Sequence, residues 1–138
     1  DYDCMYEVIY RRLMRFLEES EKLDSPKGKK LDINELIENF SALGLAAGVI
    51  VCDGIPVAYS IGEHMSDDVA LIHIEKADKN FSGSFATINK TFAEREFSDT
   101  LLINREEDMG MENLRQTKLS YKPVRLAEKY SAVWKTTI

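Results

Sequence analysis

Cysteine is nearly absent from this sequence: Cys4 and Cys52 are the only two. Two cysteines exclude a disulfide framework and a four-cysteine zinc site. Cys52 lies in an apolar run and reads as a small buried hydrophobe, while Cys4 gives no clear sign. This sparse usage fits a reducing, cytoplasmic setting. No apolar run approaches the roughly 18 residues that a membrane span needs. Charges fall throughout the first turns, so the start is no secretion signal. The two histidines, His64 and His73, lie on different expected elements, and no His-x-x-x-His or Cys-x-x-Cys spacing supports a metal site. Internal repeats and low-complexity tracts are also missing. The sequence begins at Asp1 without a methionine, so it reads as a piece of a longer protein whose missing N-terminal domain contributes to the active site.

The 138 residues with 44% hydrophobic content suit one globular domain, residues 1–138, with a core of its own. Acidic residues exceed basic ones by 24 to 18, which argues against wholesale coating of nucleic acid but leaves room for a local basic groove. Met5, Ile9, Leu13, Phe16 and Leu17 recur at helical spacing and predict a helix from the first residues onward. Residues 25–30, Ser25-Pro26-Lys27-Gly28-Lys29-Lys30, are a flexible polar loop between this helix and a second one. The second helix starts at a capping-box-like Asp32 with Glu35, presents Ile33, Leu36, Ile37 and Phe40, and stops at Gly44.

Asp53-Gly54 between two β-branched apolar runs predicts a hairpin, with Pro56 at a strand start or an unpaired edge. A third strand follows over Val69 to Ile74, with Val69, Leu71 and His73 on one face and Ala70, Ile72 and Ile74 on the other. Phe85, Ile88, Phe92 and Ala93 outline a helix, Thr100 to Ile103 a short buried strand, and Met111, Leu114 and Leu119 a last helix stopped at Tyr121-Lys122-Pro123. Val124 to Trp134 reads as a closing strand. The expected order is α-α-β-β-β-α-β-α-β.

Chemistry-bearing residues gather at the ends of these elements, where side chains can converge on a cleft. His73 and Glu75 are two apart on a strand and are expected on one face, with Lys76 on the other. A histidine beside a carboxylate can act as a base. The plainer alternative is a half-buried histidine, with Glu75 pairing to an arginine elsewhere. Asn104 and Arg105, at the end of a short strand, point toward the cleft where open α/β sheets bind ligands, and Arg105 suits a carboxylate or phosphate. Arg115 and Lys118 share a helix face and form either a small anion site or pairs with Glu112 or the acidic run Glu106-Glu107-Asp108. Tyr121 is either a proton donor to a leaving group or a hydrophobic stopper. Asn80-Phe81-Ser82-Gly83-Ser84 opens a helix whose free N–H groups could hold a phosphate, although it is no P-loop.

His73 to Asp78, Ile88-Asn89 with Phe92, Ile103 to Gly110 and Leu114 to Val124 together resemble a bacterial family related to the C-terminal domain of phosphatidylglycerol lysyltransferases. The resemblance runs from about Ile37 to Tyr130. It implies an α/β (α+β) fold like the Gcn5-related N-acetyltransferases, a mixed central sheet flanked by helices. It further implies that this is the C-terminal one of two tandem domains and that the first strand of the fold is missing from the sequence. The strands ending near Lys76 and Asn104 would splay apart and open the acceptor cleft.

The family implies an acyl- or aminoacyl-transferase, with acyl-coenzyme A or an aminoacyl-tRNA as donor. His73, Glu75 and Tyr121 would be catalytic, and Lys76, Asn104, Arg105, Arg115 and Lys118 substrate-binding. The turn Ala77 to Ser84 lacks the Arg/Gln-x-x-Gly-x-Gly/Ala pattern of coenzyme-A-dependent acetyltransferases, which counts against that donor. The competing reading is a non-catalytic domain that holds an acidic small molecule or peptide through Arg105, Arg115 and Lys118. Donor, acceptor and oligomeric state stay open.

Overall fold

The structure, a computed structural model, describes residues 4–7 and 38–134. They fall in two compact units, one ending at Glu106 and the other beginning at Glu107. The first unit holds a five-stranded sheet in the order β1-β2-β3-β4-β5. Its strands are β1 (Cys4–Glu7), β2 (Ala46–Cys52), β3 (Ile55–Ser66), β4 (Val69–Ala77) and β5 (Leu102–Asn104), and helix α1 (Ser84–Glu96) lies between β4 and β5 in the chain. The first three junctions are antiparallel and the β4–β5 junction is parallel. A parallel neighbour requires a crossover, and α1 supplies it.

The expected hairpin forms. Asp53 and Gly54 both take positive φ, 50° and 78°, the backbone that a tight turn between twisted strands demands. Pro56 sits at the second position of β3, beside a register shift where the ladder is already irregular. Alternation along β2 and β3 then splits the apolar residues between two faces. Ile50, Cys52, Ala58, Ala70 and Ile72 pack with Ile88 and Phe92 of α1 and with Phe97. Val49, Val51, Tyr59 and Ile61 form a separate cluster, joined by Ile74.

That last contact corrects the reading of β4. Ile61 pairs with Ile74 and Gly62 with Ile72, so His73 is the extra residue of a β-bulge. A bulge inserts one residue into the alternation and reverses the facing of all that follows. Ile72 therefore faces α1 while Ile74 faces the other cluster, where strict alternation put them together. His73 and Glu75 likewise do not share a face.

Residues 4–7 form an edge strand paired with β2, not the start of a helix, and the fold therefore has the strand that was expected to be missing. Helical periodicity lost here to the unpaired edge of β2, which offers a ladder that a lone helix lacks. The rest of the first expected helix, the loop at 25–30 and the second helix up to residue 37 lie outside the described residues, and of its remainder only Glu38 is helical while 39–44 are turn. The turn that ends at Gly44 is present, with φ of 64°. Cys52 is buried as expected, but it is disulfide-bonded and so more than the small buried hydrophobe expected; in the backbone register Cys4 stands across from it. β5 begins two residues later than expected and is exposed rather than buried, because it is the last strand of the sheet.

The second unit holds helix α2 (Glu112–Ser120), ended at Tyr121 ahead of Pro123. The expected closing strand over 124–134 is not formed. A strand needs an edge to pair with, and nothing in the described ladder register reaches this segment.

Candidate functional site

The pairing of β4 with β5 ends at Leu71 and Asn104, while β4 runs on to Ala77. The end of β4 thus faces a gap on that side, and the chain leaving β5 reaches across it with two consecutive side chains. Arg105 donates from Nη2 to Glu75 Oε1 at 2.6 Å. Glu106, held in a positive-φ turn by the bond from its N–H to Asn104 Oδ1, places Oε1 3.3 Å from His73 Nδ1. Because the bulge sends His73 and Glu75 to different faces, Arg105 and Glu106 serve opposite sides of one strand.

The Glu75 side is the drier one. Its side chain is only 6% exposed, and Arg105 is 21% exposed. The Asn89 amide from α1 lies against both. One orientation puts Nδ2 3.4 Å from Glu75 Oε1, and the reverse lets the amide oxygen accept from Arg105 Nη2 at 2.7 Å and from Nη1. The second orientation is the physical one, since two guanidinium donors cannot face an NH₂ group at such range. Glu75 Oε2 is buried and has no hydrogen-bond partner among the described residues. Glu75 is thus a fixed, desolvated anchor for the guanidinium, which matches the alternative of a carboxylate paired to a distant arginine.

His73 is more open and sits between two carboxylates. Nε2 lies 2.9 Å from Glu63 Oε1 on β3, and Nδ1 faces Glu106. Ionised carboxylates only accept, so the ring donates to both only when both nitrogens carry protons. Glu63 and Glu106 were not singled out from the sequence. The bulge that turns His73 toward Glu63 leaves no mark in the residue pattern, but Glu106 stood in the acidic run after β5. Lys76 is exposed near the end of β4.

The remaining expected residues lie in the second unit. Arg115 Nε binds Asp108 Oδ2 at 2.6 Å, and Lys118 Nζ donates to the carbonyl of Glu107 at 2.6 Å, so both pair with the acidic loop, one of the two readings open from sequence. The hydrogen bond from Arg115 and the Gly110 N–H hold the Asp108 carboxyl below its ordinary range, and the same bond raises Arg115. Tyr121 is the half-buried residue that ends α2.

Hollows open among the described residues of the first unit, and two of them bear on the site. The larger, about 430 Å³, is lined by His64, Ser66, Asp67 and Asp99 and includes none of the residues expected to be catalytic or substrate-binding. The smaller, about 240 Å³, lies at the start of α1 against Asp78, Ser82, Gly83 and Phe85. There Asp78 Oδ1 already accepts the N–H and side-chain amide of Asn80, and its carbonyl accepts from Phe81 N–H and Ser84 Oγ. Asn80 thus spends its donors on the Asp78 carboxylate, and Phe81 and Ser84 spend theirs on backbone carbonyls. No group of His, Cys, Asp and Glu among the described residues could hold a metal ion.

The family of the C-terminal domain of phosphatidylglycerol lysyltransferase matches residues 10–133. The chain belongs to this family. A conserved protein of unknown function from Bacteroides thetaiotaomicron VPI-5482 is 36% identical with a TM-score of 0.75, over 91% of this chain and 45% of that one. The chain therefore spans less than half of that relative.

Ribosomal-protein-alanine N-acetyltransferase from Brucella melitensis biovar Abortus 2308 is 14% identical with a TM-score of 0.62, over 96% of this chain and 99% of that one. The aminoglycoside N-acetyltransferase AAC(6')-Iy in complex with CoA is 12% identical with a TM-score of 0.61, over 98% and 100%. These likenesses establish the Gcn5-related N-acetyltransferase-like fold, as the resemblance implied. No curated protein matches the chain. The lysyltransferase domain has an acyltransferase-type architecture, and no helix among the described residues is long and apolar enough to cross a membrane.

Proposed function

We propose that this domain transfers an acyl group, specifically an aminoacyl group, to an amine or hydroxyl acceptor at the gap beside the end of β4. The observation that carries this reading is His73 held between Glu63 and Glu106 where β4 and β5 cease to pair. In such a transfer the acceptor's nitrogen or oxygen bonds to the donor's carbonyl carbon, the bond from that carbon to the donor's oxygen breaks, and the proton lost by the acceptor goes to the departing oxygen. His73 relays that proton, and Glu63 and Glu106 hold its ring in place. The same carboxylates suit the ammonium of an aminoacyl group. Glu75 positions Arg105 on the other side of β4 from His73, where its guanidinium serves a phosphate of the donor rather than the reacting carbonyl. Lys76 and Asn104 bind substrate at the rim. Roles for Arg115 and Lys118 in binding and for Tyr121 as a proton donor rest on the resemblance alone, as does the placing of this chain as the C-terminal one of two tandem domains.

The donor we favour is an aminoacyl-tRNA rather than an acyl-coenzyme A. This preference rests on the resemblance to lysyltransferases and on Asp78, whose carboxylate sits in the hollow at the start of α1 where a phosphate would seek N–H groups. A non-catalytic acid-binding role is less favoured, because Arg105 and Arg115 already hold carboxylates at 2.6 Å.

Single-turnover transfer assays with an aminoacylated tRNA and with acetyl-coenzyme A test the reading. His73→Ala is expected to slow transfer from the aminoacyl donor by about 100-fold or more with little change in donor affinity. Turnover with acetyl-coenzyme A and none with aminoacyl-tRNA refutes the donor. Undiminished turnover in His73→Ala refutes the site.

A further inference from the structure

Among the described residues, four that are not glycine take positive φ: Asp53, Glu106, Met109 and Lys122. The hairpin accounts for Asp53, and Met109 and Lys122 belong to the second unit. Glu106, with φ of 53°, stands at the candidate site. A long side chain on left-handed backbone is uncommon and costs free energy, and such positions gather where function needs an unusual placement. Glycine or asparagine would take the same backbone at less cost. The chain has a glutamate there instead, and its Oε1 lies 3.3 Å from His73 Nδ1.

The residue two before Glu106 holds that backbone. Asn104 ends β5 and pairs with Leu71 of β4, so the sheet fixes its place. Its Oδ1 accepts the Glu106 N–H at 2.9 Å, the bond by which an asparagine side chain closes a turn on its own backbone. Between the two, Arg105 is tied to Glu75 on the other side of β4. The chain is thus fixed before Glu106, and the Asn104 bond sets the direction in which the Glu106 carboxylate leaves it.

We propose that Asn104 is a positioning residue: its side-chain acceptor fixes the left-handed turn at Glu106 and so sets the Glu106 carboxylate against His73. The functional side of this inference rests on the reading of His73 as the proton relay. The bond uses only the amide oxygen, so the amide nitrogen keeps its donors for substrate at the rim.

His64 and His73 are the only histidines, and His64 pairs elsewhere, with Asp99, so it is the internal control. NMR of the two imidazoles in the full chain reads the contact without substrate. Asn104 is exposed, so its truncation leaves the core intact. Asn104→Ala is expected to move the His73 resonances and leave those of His64 in place. Asn104→Ser, whose hydroxyl closes the same kind of turn more weakly, should move them less. In the transfer assay, Asn104→Ala is expected to lower kcat by about 10-fold. Added to Glu106→Gly, it should lower kcat no further, and any loss of substrate contact at the rim then shows in KM alone. Unmoved His73 resonances in Asn104→Ala overturn the proposal, and so do equal shifts at both histidines. A full further loss of kcat in the Glu106→Gly background overturns it as well, because Asn104 would then act independently of Glu106. Resonances that respond as expected while His73→Ala leaves transfer undiminished sustain the placement of Glu106 and refute only the relay.

Discussion

Two arginine–carboxylate pairs in this chain share the same closest distance, 2.6 Å, and differ in surroundings. Arg105 and Glu75 are 21% and 6% exposed, packed beside α1, whereas Arg115, paired with Asp108 in the acidic loop, is 51% exposed. Water and counterions screen the second pair and would take over either partner if the other were lost. The first pair has no such recourse. Distance alone therefore says little about what an ion pair contributes, and the medium around it says more.

The sharpest way to break this contrast is Glu75→Ala. It leaves the Arg105 guanidinium largely buried without its carboxylate and is expected to cost about 3–5 kcal/mol of unfolding free energy. Denaturant unfolding measures it, and a loss under about 1 kcal/mol would mean that Asn89 or water replaces the carboxylate. The double change Glu75→Met with Arg105→Met is expected to recover most of that loss, because it removes both charges together. Transfer activity should not recover with it if Arg105 meets the substrate.

Gly62→Ala probes the buried face with a single methyl group. A Cβ at Gly62 would come within 2.6 Å of the Leu71 carbonyl and 3.2 Å of Phe97 Cε2. The near atom is backbone, so the β3–β4 ladder must shift beside the bulge. The expected cost is about 1–3 kcal/mol in unfolding free energy. Glu63 is the next residue, so the same change should lower transfer more than an equal destabilisation made far from His73. If thermal stability is unchanged, the close approach at the bulge is wrong.

Much of this architecture is written in local chemistry. Asp53-Gly54 marks the hairpin, and Ile88 and Phe92 mark the buried face of α1, because turn geometry and helical spacing are short-range effects. The family resemblance supplied the parallel meeting of β4 and β5. What escaped was set by pairing across the sheet. The bulge at His73 depends on how β3 and β4 register, and no spacing within 69–77 records it, so Glu63 was missed and Glu75 was given the wrong face. Residues 4–7 have helical periodicity and form a strand because β2 had an edge to fill. Val124 to Trp134 shows the reverse case, a strand pattern with no edge in its own described ladder.

The smaller effects lie on the exposed side. His64 Nε2 meets Asp99 Oδ1 at 3.0 Å, and this hydrogen bond, with a backbone one, lowers the Asp99 carboxyl from its ordinary value. A carboxyl depressed by folding adds stability that is fully present above its unfolded pKa and is lost as pH falls through its folded one. Asp99→Asn should therefore lower the neutral plateau of the melting temperature slightly and converge with the parent protein at acid pH, where the carboxyl is protonated in both states. A parallel shift at all pH values would show that Asp99 acts through packing instead.

Asp108→Asn should have the least effect of all on folding. Its carboxyl is lowered chiefly by the hydrogen bond from Arg115, so the sign is the same as for Asp99, with stability gained above the ordinary carboxyl range and lost on acidification. Arg115 is 51% exposed and Asp108 23%, a more open pair than Arg105 with Glu75, so its contribution should fade as salt is raised from low to molar concentration. Melting temperatures of the parent and Asp108→Asn should converge along that series. If the gap persists at high salt, the loop carbonyl and N–H bonds made by Asp108, rather than its charge, hold the turn before α2 together.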